Sequence, residues 1–266
     1  MENRSQILEE LQEFVNQPFC DLKDIIPSNT FKNTILVLLS LTGRIDFIAD
    51  SIIQLENEPN IYSMRILLRS LIEHHLRHTY IFMKWSRTKS EECANDYLTY
   101  YAYNEELELA ASYKRQGKLT GCNSSGSIME VFKELHPKMV SLTEAKIREK
   151  SSQFFYKRII EFVGSEVYKT GYSSPNMFLP KIFPEYSEMS SFVHGGSFAD
   201  LVMSKYANET KLVEESERIA DLALSISATT KLITLIMLSN IDNKYSSITS
   251  QYQSLLLKYK IGGSGA

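Results

Sequence analysis

Residues 61–86 constrain this chain more than any other stretch. The run holds no Gly or Pro, and Asn60, just after Pro59, is placed to cap its start. At about 100° per residue, apolar side chains appear nearly all the way round. Met64, Leu67, Leu68, Leu71 and Phe82 cover one side, while Ile66, Leu76 and Tyr80 interrupt the other. A helix apolar on all sides is a buried one. Yet Arg65, Arg69, Glu73 and Arg77 recur at every fourth position and form one slowly drifting stripe. Charge on a buried helix must be paired or must line a cleft. The predicted architecture is therefore a helical bundle wrapped around this helix, with a polar site on it.

The rest of the chain agrees with an all-α fold. Nothing alternates with a period of two for long enough to make a sheet. The predicted helices cover 4–16, 31–56, 61–86 and a Tyr-rich run from about 90 to 116. Gly117 to Gly126 reads as a loop, and Ser127-x-x-Glu130 and Ser141-x-x-Glu144 read as capping boxes. An amphipathic piece over 154–163 should close at Gly164. Pro175, Pro180 and Pro184 predict irregular chain, with Pro184 opening a helix that stops at His194 before Gly195 and Gly196. A final pair is expected near 208–241 and 244–260. No repeat or linker divides 1–261, so one domain is expected; Gly262 to Ala266 reads as an appended linker.

Composition narrows the function classes. At 266 residues, 43% hydrophobic and 23% charged, the chain has ample material for a core. A net charge of −3 excludes a broadly basic surface, so any basic site is local. Cys20, Cys93 and Cys122 lack metal-ligand spacing, which fits a reducing compartment. The start of the chain carries no basic-then-apolar signal, and no stretch of roughly 18 apolar residues is free of charge. The expectation is a cytoplasmic protein with no membrane partner. Without a Walker loop, a Gly-rich dinucleotide turn or a Gly-x-Ser-x-Gly elbow, no cofactor is expected.

Two segments carry chemistry. The stripe of Arg65, Arg69, Glu73 and Arg77 reads either as structural ion pairing or as an anion-binding cleft, since the planar guanidinium fork matches phosphate and carboxylate oxygens. In the second segment, Tyr186, Ser190 and His194 are spaced by four and share a face. His194 reads either as a helix C-cap or as an acid–base group. His74 and His78 have the spacing of helical metal ligands, but no His-Glu-x-x-His pattern accompanies them, and no metal is expected. Ser190 and His194 lie on one short helix with no third group, which argues against a triad.

Arg-Ser-Leu-Ile-Glu at 69–73, Tyr80, and Tyr-x-x-x-Ser-x-x-x-His-Gly at 186–195 resemble a family of helical bacterial proteins of unknown function, over about 31–200. That resemblance implies that the Arg/Glu helix faces the His helix. Arg69-x-x-x-x-His74 also resembles the Arg-x(4–6)-His motif of HEPN (higher eukaryote and prokaryote nucleotide-binding) proteins, many of them metal-independent ribonucleases of toxin and antiphage systems. Ser70 departs from the Asn, Asp or His often found after that Arg, and Arg69 and His74 point about 140° apart on a helix, so they would meet only across a dimer or a distorted turn.

These resemblances imply a HEPN-like protein of antiphage defence or toxin type acting on RNA. Arg69, Glu73, His74 and His194 would be its catalytic candidates, and Arg65, Arg77, Tyr186 and Ser190 its ligand-binding ones. The alternatives are a non-catalytic module that binds a nucleotide or another anion or docks a partner protein of a defence system, and a purely structural subunit. A homodimer fits the first reading.

Overall fold

The computed structural model describes residues 3–22, 26, 29–121, 126–137, 141–170, 179–206 and 208–261. It is an all-α helical bundle, 85% helical and without strands among the described residues. Its helices are α1 (Arg4–Cys20), α2 (Lys32–Gln54), α3 (Ile61–Thr88), α4 (Glu92–Asp96), α5 (Ala102–Leu119), α6 (Ile128–Leu135), α7 (Glu144–Ser151), α8 (Tyr156–Thr170), α9 (Leu179–Val193), α10 (Ser197–Ser204), α11 (Glu209–Ile241) and α12 (Tyr245–Lys258). A π-helical segment, Tyr97–Tyr101, joins α4 to α5, and a 3-10 turn, Ser152–Phe154, precedes α8.

The central helix forms as its sequence demands. The Asn60 side chain accepts a hydrogen bond from the Ser63 amide at 3.0 Å, capping α3. Met64, Leu68, Leu71, Ile72, Leu76 and Ile81 are then buried against α2, α11, α9 and α8. Where α2, α3 and α11 meet, the core holds a polar seam. His75 Nδ1 reaches Thr230 Oγ1 at 2.8 Å and His78 Nε2 reaches Thr234 Oγ1 at 2.9 Å. Lys231, fully buried, pairs with Asp46 and donates to Ser227 Oγ at 2.7 Å. Burial holds the His75 imidazole down to about 3 and lowers that of His78 well below its ordinary range, so both are neutral in the core.

Among the described residues, α11 is the one helix long and apolar enough to cross a membrane, and 78% of its apolar window is buried inside the protein. Here it is the spine on which α2, α3 and α12 pack. In contrast, α5 packs chiefly on α6, α7 and the π segment. Leu107, Ala110, Phe132 and Ile147 give that arm a small core of its own.

Several boundaries depart from expectation. Gly164 does not end α8, because burial of Ile159 and Val163 outweighs the roughly 1 kcal/mol helix cost of one Gly. The second capping box is replaced by Thr143, whose Oγ1 accepts from the Lys146 amide, leaving Glu144 as the first helical residue. Pro184 lies inside α9 and does not open it. The α9 stop at Gly195, with φ +60°, and the box of Ser127 with Glu130 are present as read. The helix α10 was not expected. Pro27, Cys122, Pro175 and the 262–266 tail fall outside the described residues, as does part of the 117–126 loop, whose first residues belong to α5.

Candidate functional site

The arginine stripe divides into two clusters. Four-residue steps drift by about 40°, so Arg65 and Arg77 lie about 120° apart around α3. Arg65 turns towards α9 and α11. Its guanidinium pairs with Glu188, with Glu215 at 2.6 Å, and donates to the Tyr206 hydroxyl at 2.8 Å. Phe192 and Tyr206 rings lie 5.1 and 5.4 Å from its centre. Arg218 extends the network, joining Glu215 at 2.8 Å to Glu185 at 2.8 Å. Arg65 is 2% exposed, and its carboxylate partners hold its pKa up against the opposing effect of burial. Two carboxylates and the Tyr206 hydroxyl engage both terminal nitrogens of this buried cation, so the contacts of Arg65 are those of a structural network, although its Nε, like those of Arg69 and Arg77, has no hydrogen-bond partner.

Arg69 and Arg77 have the opposite balance. Both share Glu73, at 3.4 and 3.5 Å, and all three side chains are partly exposed (17%, 14% and 24%). Tyr186 donates to Glu73 Oε1 at 2.8 Å and accepts from Arg69 Nη2 at 3.3 Å, so α9 does bring one of its expected residues to the stripe. Tyr156 stacks on Tyr186, ring centroids 3.3 Å apart. Arg69 lies over the Tyr186 ring at 5.2 Å, and Arg77 over Tyr101 at 5.0 Å. The buried Nε atoms of Arg69 and Arg77, like that of Arg65, have no hydrogen-bond partner. Burial raises the pKa of Tyr186, Tyr156 and Tyr101, so these hydroxyls stay protonated and can donate.

The π segment explains how Tyr101 arrives there. It brings Tyr97 and Tyr101 into a parallel stack, 5.2 Å apart and 9° from coplanar, braced edge-on by Phe154. Such segments recur at functional positions. Sequence periodicity gives no signal for one; the only clue was the density of tyrosines.

His74 lies on the same side. Its Nδ1 contacts the Ser70 carbonyl oxygen at 2.7 Å; a carbonyl only accepts, so Nδ1 carries the proton and Nε2 is left as a lone-pair acceptor. Burial lowers its pKa, the Ser70 carbonyl opposes this, and the Arg77 and Arg44 charges lower it further. Arg44, exposed on α2 and not singled out from sequence, thus adds a cation beside the cluster. With Arg44, Arg69 and Arg77 against Glu73, the local charge is positive.

The expected meeting of Glu73 with His194 does not occur. His194 lies beyond the end of α9, exposed, and its side chain makes no hydrogen bond or ion pair with Arg69 or Glu73. The His194 amide still donates to the Ser190 carbonyl at 3.4 Å, and the chain turns at the next residue, Gly195, with φ +60°. Ser190 is half-buried and also stands apart from the Glu73 hydrogen bonds. His78, which the metal spacing paired with His74, is fully buried against Thr234.

The fold and site define an all-α bundle carrying a tyrosine-lined, locally cationic face on its central helix. No family model, curated protein or solved structure matches the chain.

Proposed function

We propose that the Arg69–Glu73–Arg77 face binds a phosphate-bearing ligand, RNA or a nucleotide, in the cytosol. One observation carries this reading: two partly exposed guanidiniums share a single carboxylate, at 3.4 and 3.5 Å, so the cluster carries an excess of positive charge that solvent can reach. A phosphate at the exposed edges of the two guanidiniums would balance that charge. The tyrosine walls give a nucleobase or sugar a surface to pack on, as single-strand binders do. The test is anisotropy with a short single-stranded RNA at low salt, on wild type, Arg69→Ala and Arg77→Ala. Loss of binding in both variants supports the reading; equal binding by all three proteins removes it.

A second reading has its own support. His74 is a neutral imidazole with Nε2 free, beside Arg77 and Arg44. That is the equipment of a metal-independent ribonuclease: a base for the ribose 2′-hydroxyl and a cation for the charge growing on phosphorus. It fits a HEPN-like role in antiphage defence, with Arg77 taking the place expected of Arg69 and His194 playing no part. RNA cleavage by wild type in excess chelator, leaving 2′,3′-cyclic phosphate ends and lost in a folded His74→Ala variant, is the expected result. RNA that stays intact at every protein concentration leaves binding alone.

A further inference from the structure

A second polar cleft lies further along α3, between that helix, the Ser152–Phe154 turn and α8. It is an open, shallow depression of about 470 Å³, lined by Tyr80, Lys84, Ser152, Gln153, Arg158, Glu161 and Phe162. That volume suits a small metabolite and exceeds what a bare ion needs. Phe154 stands between it and the Tyr97–Tyr101 stack, so it is a separate place.

Its polar groups sort into spent and unspent. Gln153 donates to Asp96 at 3.0 Å and to the Lys150 carbonyl at 3.0 Å, and accepts from the Tyr80 hydroxyl at 3.2 Å. Ser152 donates to the Glu149 carbonyl at 2.7 Å. These groups are fixed walls. Lys84 sits 4.5 Å from the Phe162 ring centre and 5.4 Å from that of Tyr80, and its charge also acts on Glu166 of α8. Arg158 and Glu161, three residues apart on α8, line the cleft, and among the described residues neither has an ion-pair partner. Two cations and one carboxylate are thus left for a ligand.

We propose that this cleft binds a small phosphomonoester of a hydroxylated compound. The phosphate dianion lies between Lys84 and the Arg158 fork. Its carbon body packs on Phe162, and a ligand hydroxyl donates to Glu161. A phosphomonoester offers three terminal oxygens to the Lys84 ammonium and the Arg158 fork where a carboxylate offers two, and inorganic phosphate would leave most of the cleft unfilled. This site needs neither Arg69 nor Arg77.

Calorimetric titration of the full chain with ribose 5-phosphate, with inorganic phosphate as control, tests it. Saturable binding of ribose 5-phosphate, tighter than inorganic phosphate, is expected. It should weaken about tenfold or more in Arg158→Ala and Lys84→Met, the loss of one charge-assisted contact each, and stay within about twofold in Arg77→Ala. Arg158 is exposed, so its truncation tests the site even if Lys84→Met disturbs packing. No saturable binding by wild type overturns the proposal, and so does binding weakened by Arg77→Ala as much as by Arg158→Ala. Neither outcome touches the RNA-binding result for Arg69 and Arg77.

Discussion

Arg65 and the Arg69–Arg77 pair occupy one helix, one sequence pattern and opposite electrostatic states. Around Arg65 the carboxylates outnumber the buried cation. Around Glu73 the cations outnumber the carboxylate, and water reaches all three groups. A buried cation with surplus carboxylates is held in place and closed to solvent. A partly exposed pair of cations that share one carboxylate carries excess positive charge that an anion can reach. The ratio of charges, together with exposure, separates structure from site where the residue type does not.

The largest expected effect breaks the Arg65 side. Arg65→Ala leaves Glu188 without its cation and Glu215 with Arg218 alone, at a cost of about 3–5 kcal/mol. Urea unfolding should show a midpoint far below wild type, or no folded baseline. Arg77→Ala removes a partly exposed partner and should cost at most about 1 kcal/mol. Equal losses in the two variants would erase the distinction.

Acid sharpens the comparison differently. The folded-state pKa of His75 is about 3, against 6.5 for the ordinary imidazole. Above 6.5 neither state is protonated and the seam's full stability is present. Between 6.5 and about 3 the unfolded chain takes up a proton that the folded core refuses, so stability falls by up to about 1.4 kcal/mol per pH unit for this group. His78 adds in the same direction. Urea midpoints measured from pH 7 down to pH 4 should fall steadily, and less steeply in a folded His75→Gln variant. A flat profile would mean that these histidines are not kept neutral.

Smaller effects belong to the cationic face. Tyr186→Phe removes the hydroxyl bridging Arg69 and Glu73 and should cost about 1 kcal/mol in urea unfolding. Glu73→Gln removes the one carboxylate that, among the described residues, pairs with the two arginines, and RNA affinity measured by anisotropy should rise several-fold. A fall in affinity would mean that Glu73 itself contacts the ligand or that the arginines need it for their orientation.

Much of this was legible in the sequence. Asn60 capping α3, the box at Ser127 and Glu130, and the Gly195 stop are local signals, and local signals were readable. The arginine–glutamate stripe named a polar site, and the four-residue spacing back from Ser190 named Tyr186. The separate course of Arg65 was half legible, in the 120° drift from Arg77; its partners Glu188 and Glu215 come from helices far along the chain and were not. His194 was expected to join Glu73, but its exposed side chain forms no hydrogen bond or ion pair with that cluster. Arg44 and Tyr101 were invisible as site residues, one brought by packing of α2 on α3, the other by a π segment.

The central claim is that Arg69 and Arg77 bind an anion while Arg65 holds the fold. The most direct test is the affinity of an Arg69→Ala/Arg77→Ala double variant for a short single-stranded RNA, with its thermal melt recorded beside wild type. The account predicts that affinity falls by more than about tenfold while the melting temperature moves by only a few degrees. A variant that binds as wild type does, or one that has lost its melting transition, would contradict it.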